Sequence, residues 1–193
     1  MVKKDEKREE LLDAAFEVLL KYGPRKATME DFASKADMAT TSLYYYFKNK
    51  KEIIQATAKR EIQRTMDDIQ EALEKGGSIE ERLGRMWLAA FAPLIKQNMD
   101  IDDFLEIIQY TKDLIPKLLN YENAKIRELL EEGTASGELQ IENMDLAVLT
   151  VASAMRGIAQ ALIQGENPEL IIQVTHKLAR LLLRGMQAAD DQQ

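Results

Sequence analysis

Between Thr40 and Lys51 the chain gathers groups suited to contact with a polyanion. Thr40, Thr41 and Ser42 carry hydroxyls that can bond several base edges, and a threonine methyl can touch a thymine methyl. Tyr44, Tyr45 and Tyr46 follow, with phenolic O–H groups that can donate to phosphate oxygens and so position a protein without reading sequence. Lys48, Lys50 and Lys51 add positive charge. A second reading makes the tyrosines a packed aromatic cluster and the lysines a solvated face. Other chemistries have few residues to work with. There is no cysteine and only one histidine, His176. That excludes thiolate nucleophiles, disulfides and cysteine-based zinc sites, and no His-x-x-x-His or Glu-x-x-His spacing or glycine-rich phosphate loop is present. No catalytic residue, metal or cofactor is therefore expected. Carboxylates alone leave a helical enzyme as one alternative, and a helical interaction adaptor without DNA is another.

Short elements must hold these groups. Leu11, Leu12, Ala15, Phe16, Leu19 and Leu20 form a helical apolar face. Gly23-Pro24 stops it. Thr28 with Asp31 resembles a capping box, and Met29, Phe32, Ala33 and Ala36 give the buried stripe of a second helix. After a turn at Asp37-Met38, a third helix spans about 39–46, with Leu43 and Phe47 inward and Thr40, Thr41 and Ser42 outward. A short helix with one polar side, held by two others, is what a helix-turn-helix places in the major groove.

The spacing predicts helices for the rest: 49–75, 78–95 with a kink at Pro93, 101–110, 113–132, 144–164 and 168–187, with Gly133 and Gly137 bracketing a turn. No segment alternates as a strand does, so the fold class is all-α, with about nine helices. The division predicted is a three-helix domain over residues 1–48 and a helical domain over 49–193. Net charge is −7, yet residues 1–60 carry +3 and residues 61–193 carry −10. Local positive potential, not overall charge, is what phosphate contact requires. The absence of cysteine fits a reducing cytoplasm. No signal-peptide core is seen, and no apolar run approaching membrane-spanning length is expected.

The head resembles the TetR family of bacterial regulators. The resemblance lies in Leu12-Asp13-Ala14-Ala15, Tyr22-Gly23, Thr28-Met29-Glu30-Asp31-Phe32-Ala33, Ala36-Asp37-Met38 and Ser42-Leu43-Tyr44-Tyr45-Tyr46-Phe47-Lys48-Asn49-Lys50. A weaker likeness runs from Glu131-Glu132-Gly133 to Ser136-Gly137-Glu138-Leu139. It implies phosphate contacts from Thr28, Tyr44, Tyr45 and Lys50, and bases facing Thr40 and Thr41. It also implies a ligand site among helices four to eight and a four-helix dimer interface. Three positions depart from the pattern: Asp37 where glycine is usual, Ala39 where a Ser or Thr cap is usual, and Thr41 in place of a common glycine.

From the residues themselves, the last helix pair is the dimerisation candidate. Ala147, Ala152, Ser153, Ala154, Gly157 and Ala161 allow close approach, and Leu170, Ile171, Val174, Leu178, Leu181 and Leu182 supply an apolar edge. Candidate ligand contacts are Met86, Trp87, Phe91, Phe104, Gln109, Tyr110, Tyr121, Met155 and Arg156, with plain core packing as the competing reading. Arg156, a charge in an apolar helix, needs a partner: Glu106, Asp113 or an anionic ligand. The partners expected are thus a double-stranded DNA operator, an unknown small molecule and a second copy of the chain.

Overall fold

The computed structural model describes residues 2–96, 106, 107 and 109–187. Eight helices are defined among them: α1 (Val2–Lys26), α2 (Met29–Lys35), α3 (Thr40–Tyr46), α4 (Lys50–Glu74), α5 (Ile79–Lys96), α6 (Ile115–Ala135), α7 (Met144–Ile163) and α8 (Pro168–Arg184). The described residues contain no strand, only an isolated bridge pairing Leu139 with Gln187. The chain is all-α, as its periodicity predicts. The expected helix at 101–110 lies mostly outside the described residues, as does Phe104. Helical assignment of α5 continues past Pro93 to Lys96.

Two compact units form: Met1–Arg64 with Gln97–Pro116, and Thr65–Lys96 with Lys117–Gln193. The first unit takes in the start of α4. Ile53 and Ile54, in the second turn of α4, are buried with Leu11, Leu12, Leu19, Phe32, Leu43 and Phe47 in one cluster. Helix α1 and two seven-residue helices alone bury little apolar surface, and α4 completes their core. Arg60 on α4 fastens the same unit. Its guanidinium donates to the Glu9 carbonyl at 3.0 Å and pairs with Asp13 at 3.0 Å, both on α1.

Local signals set the helix ends. Gly23 takes φ 72°, a left-handed conformation that glycine adopts freely, and it breaks α1 before Pro24. The Thr28–Asp31 capping box forms on α2, and Asn143 and Asn167 cap α7 and α8. Gly133 is not a turn residue. It lies inside α6, where a β-carbon would stand 2.6 Å from Leu139 Cδ1. The glycine admits Leu139 into the core.

The second unit packs Ile69 and Leu73 of α4, Leu83, Met86, Trp87 and Phe91 of α5, Ile126, Leu129 and Leu130 of α6, and the inner faces of α7 and α8. One sequence expectation fails here. Helix α7 is 20 residues long and holds an 18-residue window with a mean hydropathy of 1.7, long and apolar enough to cross a membrane. Its apolarity has a local cause, because Ala147, Val148, Val151, Ala152, Met155 and Ile158 fill this core. That burial also divides the expected dimer face. Ala147, Ala152 and Ile171 are spent inside the unit, whereas Ser153, Gly157, Leu170, Val174 and Leu181 stay exposed, joined by Leu146 and Leu149.

Candidate nucleic-acid interface

Seven residues make α3, and its sequence leaves only one way to seat it. Leu43 and Phe47 are each 1% exposed, locked into the head core. Residues three or four apart share a helix face, so burying this pair turns the intervening positions outward. Thr41 and Ser42 are exposed, Thr40 is half-buried, and Tyr44 and Tyr45 are 51% and 70% exposed. Tyr46 behaves differently. It packs against the head core, with its ring edge-on to Tyr45 at 5.4 Å between centroids. The tyrosine run is thus neither wholly a packed cluster nor wholly a surface: two rings face out and one supports them.

The turn before α3 carries two of the three departures noted in the sequence, Asp37 and Ala39. Asp37 takes φ 50°, and it is the one non-glycine residue with positive φ among those described. Aspartate tolerates this region better than most residues. Ala39 stands at the N-cap of α3 in extended conformation with no side-chain cap, so Thr40 does not substitute for the missing hydroxyl.

Two of the residues assigned to phosphate have internal work. The Thr28 hydroxyl donates to Asp31 Oδ2 at 2.6 Å, and the Thr28 N–H donates to the same oxygen at 2.8 Å. These bonds hold the Asp31 carboxyl below the usual carboxylate range. Lys50 Nζ donates to the carbonyls of Arg25 and Ala27, each at 3.0 Å. Lys48 is exposed beside α3, as is Lys51. At the start of α4 two backbone amides are already bonded within the chain. Asn49 Oδ1 accepts from Glu52 N–H, and the Glu52 carboxylate accepts from Lys48 N–H.

The matches to known proteins fall on the same segments. Residues 11–57 match bacterial regulatory proteins of the tetR family, and residues 91–188 match the C-terminal region of QacR-like proteins. The chain belongs to the TetR family of bacterial transcriptional regulators. It is a DNA-binding regulator of this family and not an enzyme. The fatty acid metabolism regulator protein of Bacillus subtilis is 28% identical over 76% of this chain and 77% of its own length. A TetR regulator from Haloarcula marismortui shares the fold with a TM-score of 0.80 at 15% identity, covering 95% of this chain and 100% of that one. FadR of Bacillus subtilis, solved with stearoyl-CoA, gives a TM-score of 0.65 at 19% identity, covering 93% and 100%.

The candidate ligand residues of this TetR-family chain fall in both units. Met86, Trp87, Phe91 and Met155 are buried together in the second unit's core. Tyr121 is half-buried there and donates to the Met66 carbonyl at 3.1 Å. Gln109 and Tyr110 belong to the first unit, where the Tyr110 carbonyl accepts from Gln55 at 3.3 Å. Arg156 is exposed and donates to Ser153 Oγ at 3.2 Å. The expected partner Glu106 instead pairs with Arg25 at 2.7 Å.

Arg156 acts instead on the buried carboxyl of Glu122, a residue the sequence reading missed. Glu122 is buried, and burial pushes its carboxyl up to about 7 against the opposing pull of the Arg156 guanidinium. Its register carries the signal: Glu122, Ile126, Leu129, Leu130 and Gly133 form the buried stripe of α6. The Trp87 indole N–H is also buried, with no hydrogen-bond acceptor among the described residues.

Proposed function

We propose that this chain is a repressor that binds a pseudo-palindromic operator as a homodimer and leaves it when a small molecule binds the second unit. One observation carries the DNA face: α3 buries Leu43 and turns Thr41, Ser42, Tyr44 and Tyr45 outward beside exposed Lys48. Thr40, Thr41 and Ser42 read bases, and Tyr44, Tyr45 and Lys48 hold phosphates. Thr28, exposed at the N-cap of α2, and Lys50, at the start of α4, flank α3 in the chain. A two-fold operator calls for two recognition helices about 34 Å apart, one turn of DNA. The exposed apolar residues of α7 and α8 supply the surface that pairs the copies.

The ligand site is assigned to the core around Met86, Trp87, Phe91, Tyr121 and Met155. Support comes from two polar groups in that unit, the Trp87 N–H and the Glu122 carboxyl, which an apolar core would not otherwise retain. Helix α4 is continuous from Lys50 in the first unit to Glu74 in the second. A ligand that favours one tilt of α4 shifts the population away from the DNA-competent spacing. The regulator works in the cytoplasm, where its operator lies.

Because a relative of known structure was solved with stearoyl-CoA, acyl-CoAs are the first probes. Genomic fragments retained by the protein would be selected, then titrated with stearoyl-CoA in a band-shift assay alongside calorimetry. The expected result is release of the fragment as the probe binds. A probe that binds by calorimetry yet leaves DNA affinity unchanged would sink the mechanism.

A further inference from the structure

We propose that Thr41 reads a thymine in each operator half-site, its hydroxyl donating to O4 while its methyl packs on the C5-methyl. The inference rests on α3 as the DNA-reading element, and it names the base that this element selects. Helix α3 offers few means of choosing a base. Leu43 is buried and Tyr46 packs against the head core, which leaves Thr40, Thr41, Ser42, Tyr44 and Tyr45. None of these carries the guanidinium, ammonium or amide that singles out guanine or adenine, nor the carboxylate that accepts from cytosine. What remains is a hydroxyl, which several bases can meet, and a methyl, which among the four bases only thymine matches.

Two side chains of α3 end in a methyl, Thr40 and Thr41. Thr40 is half-buried, whereas Thr41 is exposed. Thr41 also stands three and four residues before Tyr44 and Tyr45, so it shares their outward face. Its hydroxyl is unspent. Thr111, Thr134, Thr150 and Thr175 each donate to the carbonyl four residues back, at 2.8 to 3.0 Å. Thr41 is the second residue of α3, and four residues back lies Asp37, in the turn at φ 50°. No helical carbonyl stands behind it, and the Thr41 hydroxyl has no hydrogen-bond partner among the described residues.

Threonine carries that oxygen and its methyl on one carbon. Thymine presents O4 and the C5-methyl on adjacent ring atoms in the major groove, so acceptor and methyl lie side by side as donor and methyl do on the protein. Cytosine offers an amino donor and no methyl. Guanine offers two acceptors and no methyl. Serine at this position would keep only the hydroxyl, and valine only the methyl.

The test uses the full chain and duplexes that it selects from a random-sequence pool. Each thymine of the selected half-site is replaced in turn by deoxyuracil, which removes the methyl alone, and affinity is read by band shift at fixed salt. One position, the same in both half-sites, should lose about fourfold per half-site. Thr41→Ser should bind thymine and uracil equally there. Thr41→Val should bind both more weakly yet still prefer thymine by about fourfold. If Thr41→Ser does not fold, Thr41→Gly, which also lacks the methyl, is read in the same way. A half-site in which no uracil weakens binding would overturn the inference, as would a Thr41→Ser variant that keeps the full preference. Failure to select any duplex would count against α3 as a DNA-reading element, and the inference would fall with it. The uracil comparison is made only on bound duplexes, so the two failures stay distinct.

Discussion

At the scale of single residues, two positions place a group where local chemistry opposes it. Ala39 holds the N-cap of α3 with φ −69° and ψ 141°, the extended geometry a capping residue adopts, yet has no oxygen to offer. Ala39→Ser should therefore stabilise the protein by about 1 kcal/mol without moving the backbone, read as a higher thermal midpoint. An unchanged midpoint would mean that solvent already satisfies the first amides of α3. Glu122 is the second position. Its carboxyl titrates near 7 in the folded protein against an ordinary 4.5. The folded state thus holds the proton more tightly than the unfolded chain does. Below 4.5 both states are protonated and Glu122 costs nothing through ionisation. Between 4.5 and 7 the unfolded chain ionises first and stability falls. Above 7 the penalty levels off at roughly 3 kcal/mol. Glu122→Gln should raise the denaturation midpoint at pH 8 and change it far less at pH 4.5. An equal effect at both pH values would show that the carboxyl is not desolvated as its burial implies.

At the scale of elements, what was legible followed periodicity. Leu43 and Phe47 four apart, the Thr28–Asp31 spacing and Gly23-Pro24 each specify a local structure, and each forms. Residues whose role depends on distant chain were not legible. Lys50 looks like a surface cation until α1 supplies two carbonyls 23 and 25 residues away. Ala147, Ala152 and Ile171 look like an interface until the second unit's core takes them in. Gly133 is the sharpest case, because a glycine followed by Gly137 reads as a turn. In the fold the helix runs on to Ala135, and the turn residue is Gly137, with φ 80°. The missing β-carbon at 133 makes room for Leu139 Cδ1 and Cγ, which would otherwise lie 2.6 and 2.9 Å away. Alanine gains about 1 kcal/mol of helix propensity over glycine, but overpacking against a buried leucine costs about 1–3 kcal/mol. Gly133→Ala should thus be net destabilising, and Gly133→Ala with Leu139→Ala less than additive in urea denaturation. Strict additivity would show that Leu139 does not rest on this glycine.

At the scale of the whole molecule, the proposed dimer is what turns a seven-residue recognition helix into a regulator. One half-site read by three hydroxyls, with two phenols on phosphates, offers little discrimination, whereas two tethered heads bind the second half-site at the effective concentration their linkage sets. The second unit leaves Leu146, Leu149, Leu170, Ile172, Val174 and Leu181 exposed on α7 and α8, where a monomer has no use for six large apolar side chains. Leu181, at 67% exposure, makes the cleanest probe. In an isolated chain Leu181→Glu replaces one solvated side chain by another and should alter stability by less than about 0.5 kcal/mol. In a dimer it places a carboxylate in an apolar interface on both sides of the two-fold. Sedimentation should show the parent chain as a dimer and the variant as a monomer with unchanged helical circular dichroism. Operator affinity should fall about a hundredfold as the second head becomes independent. Contacts within each half-site survive, so the salt dependence per bound monomer should be about half that of the dimer. A variant that stays dimeric would place the pairing surface elsewhere. A monomeric variant that keeps full operator affinity would remove the need for a two-fold operator.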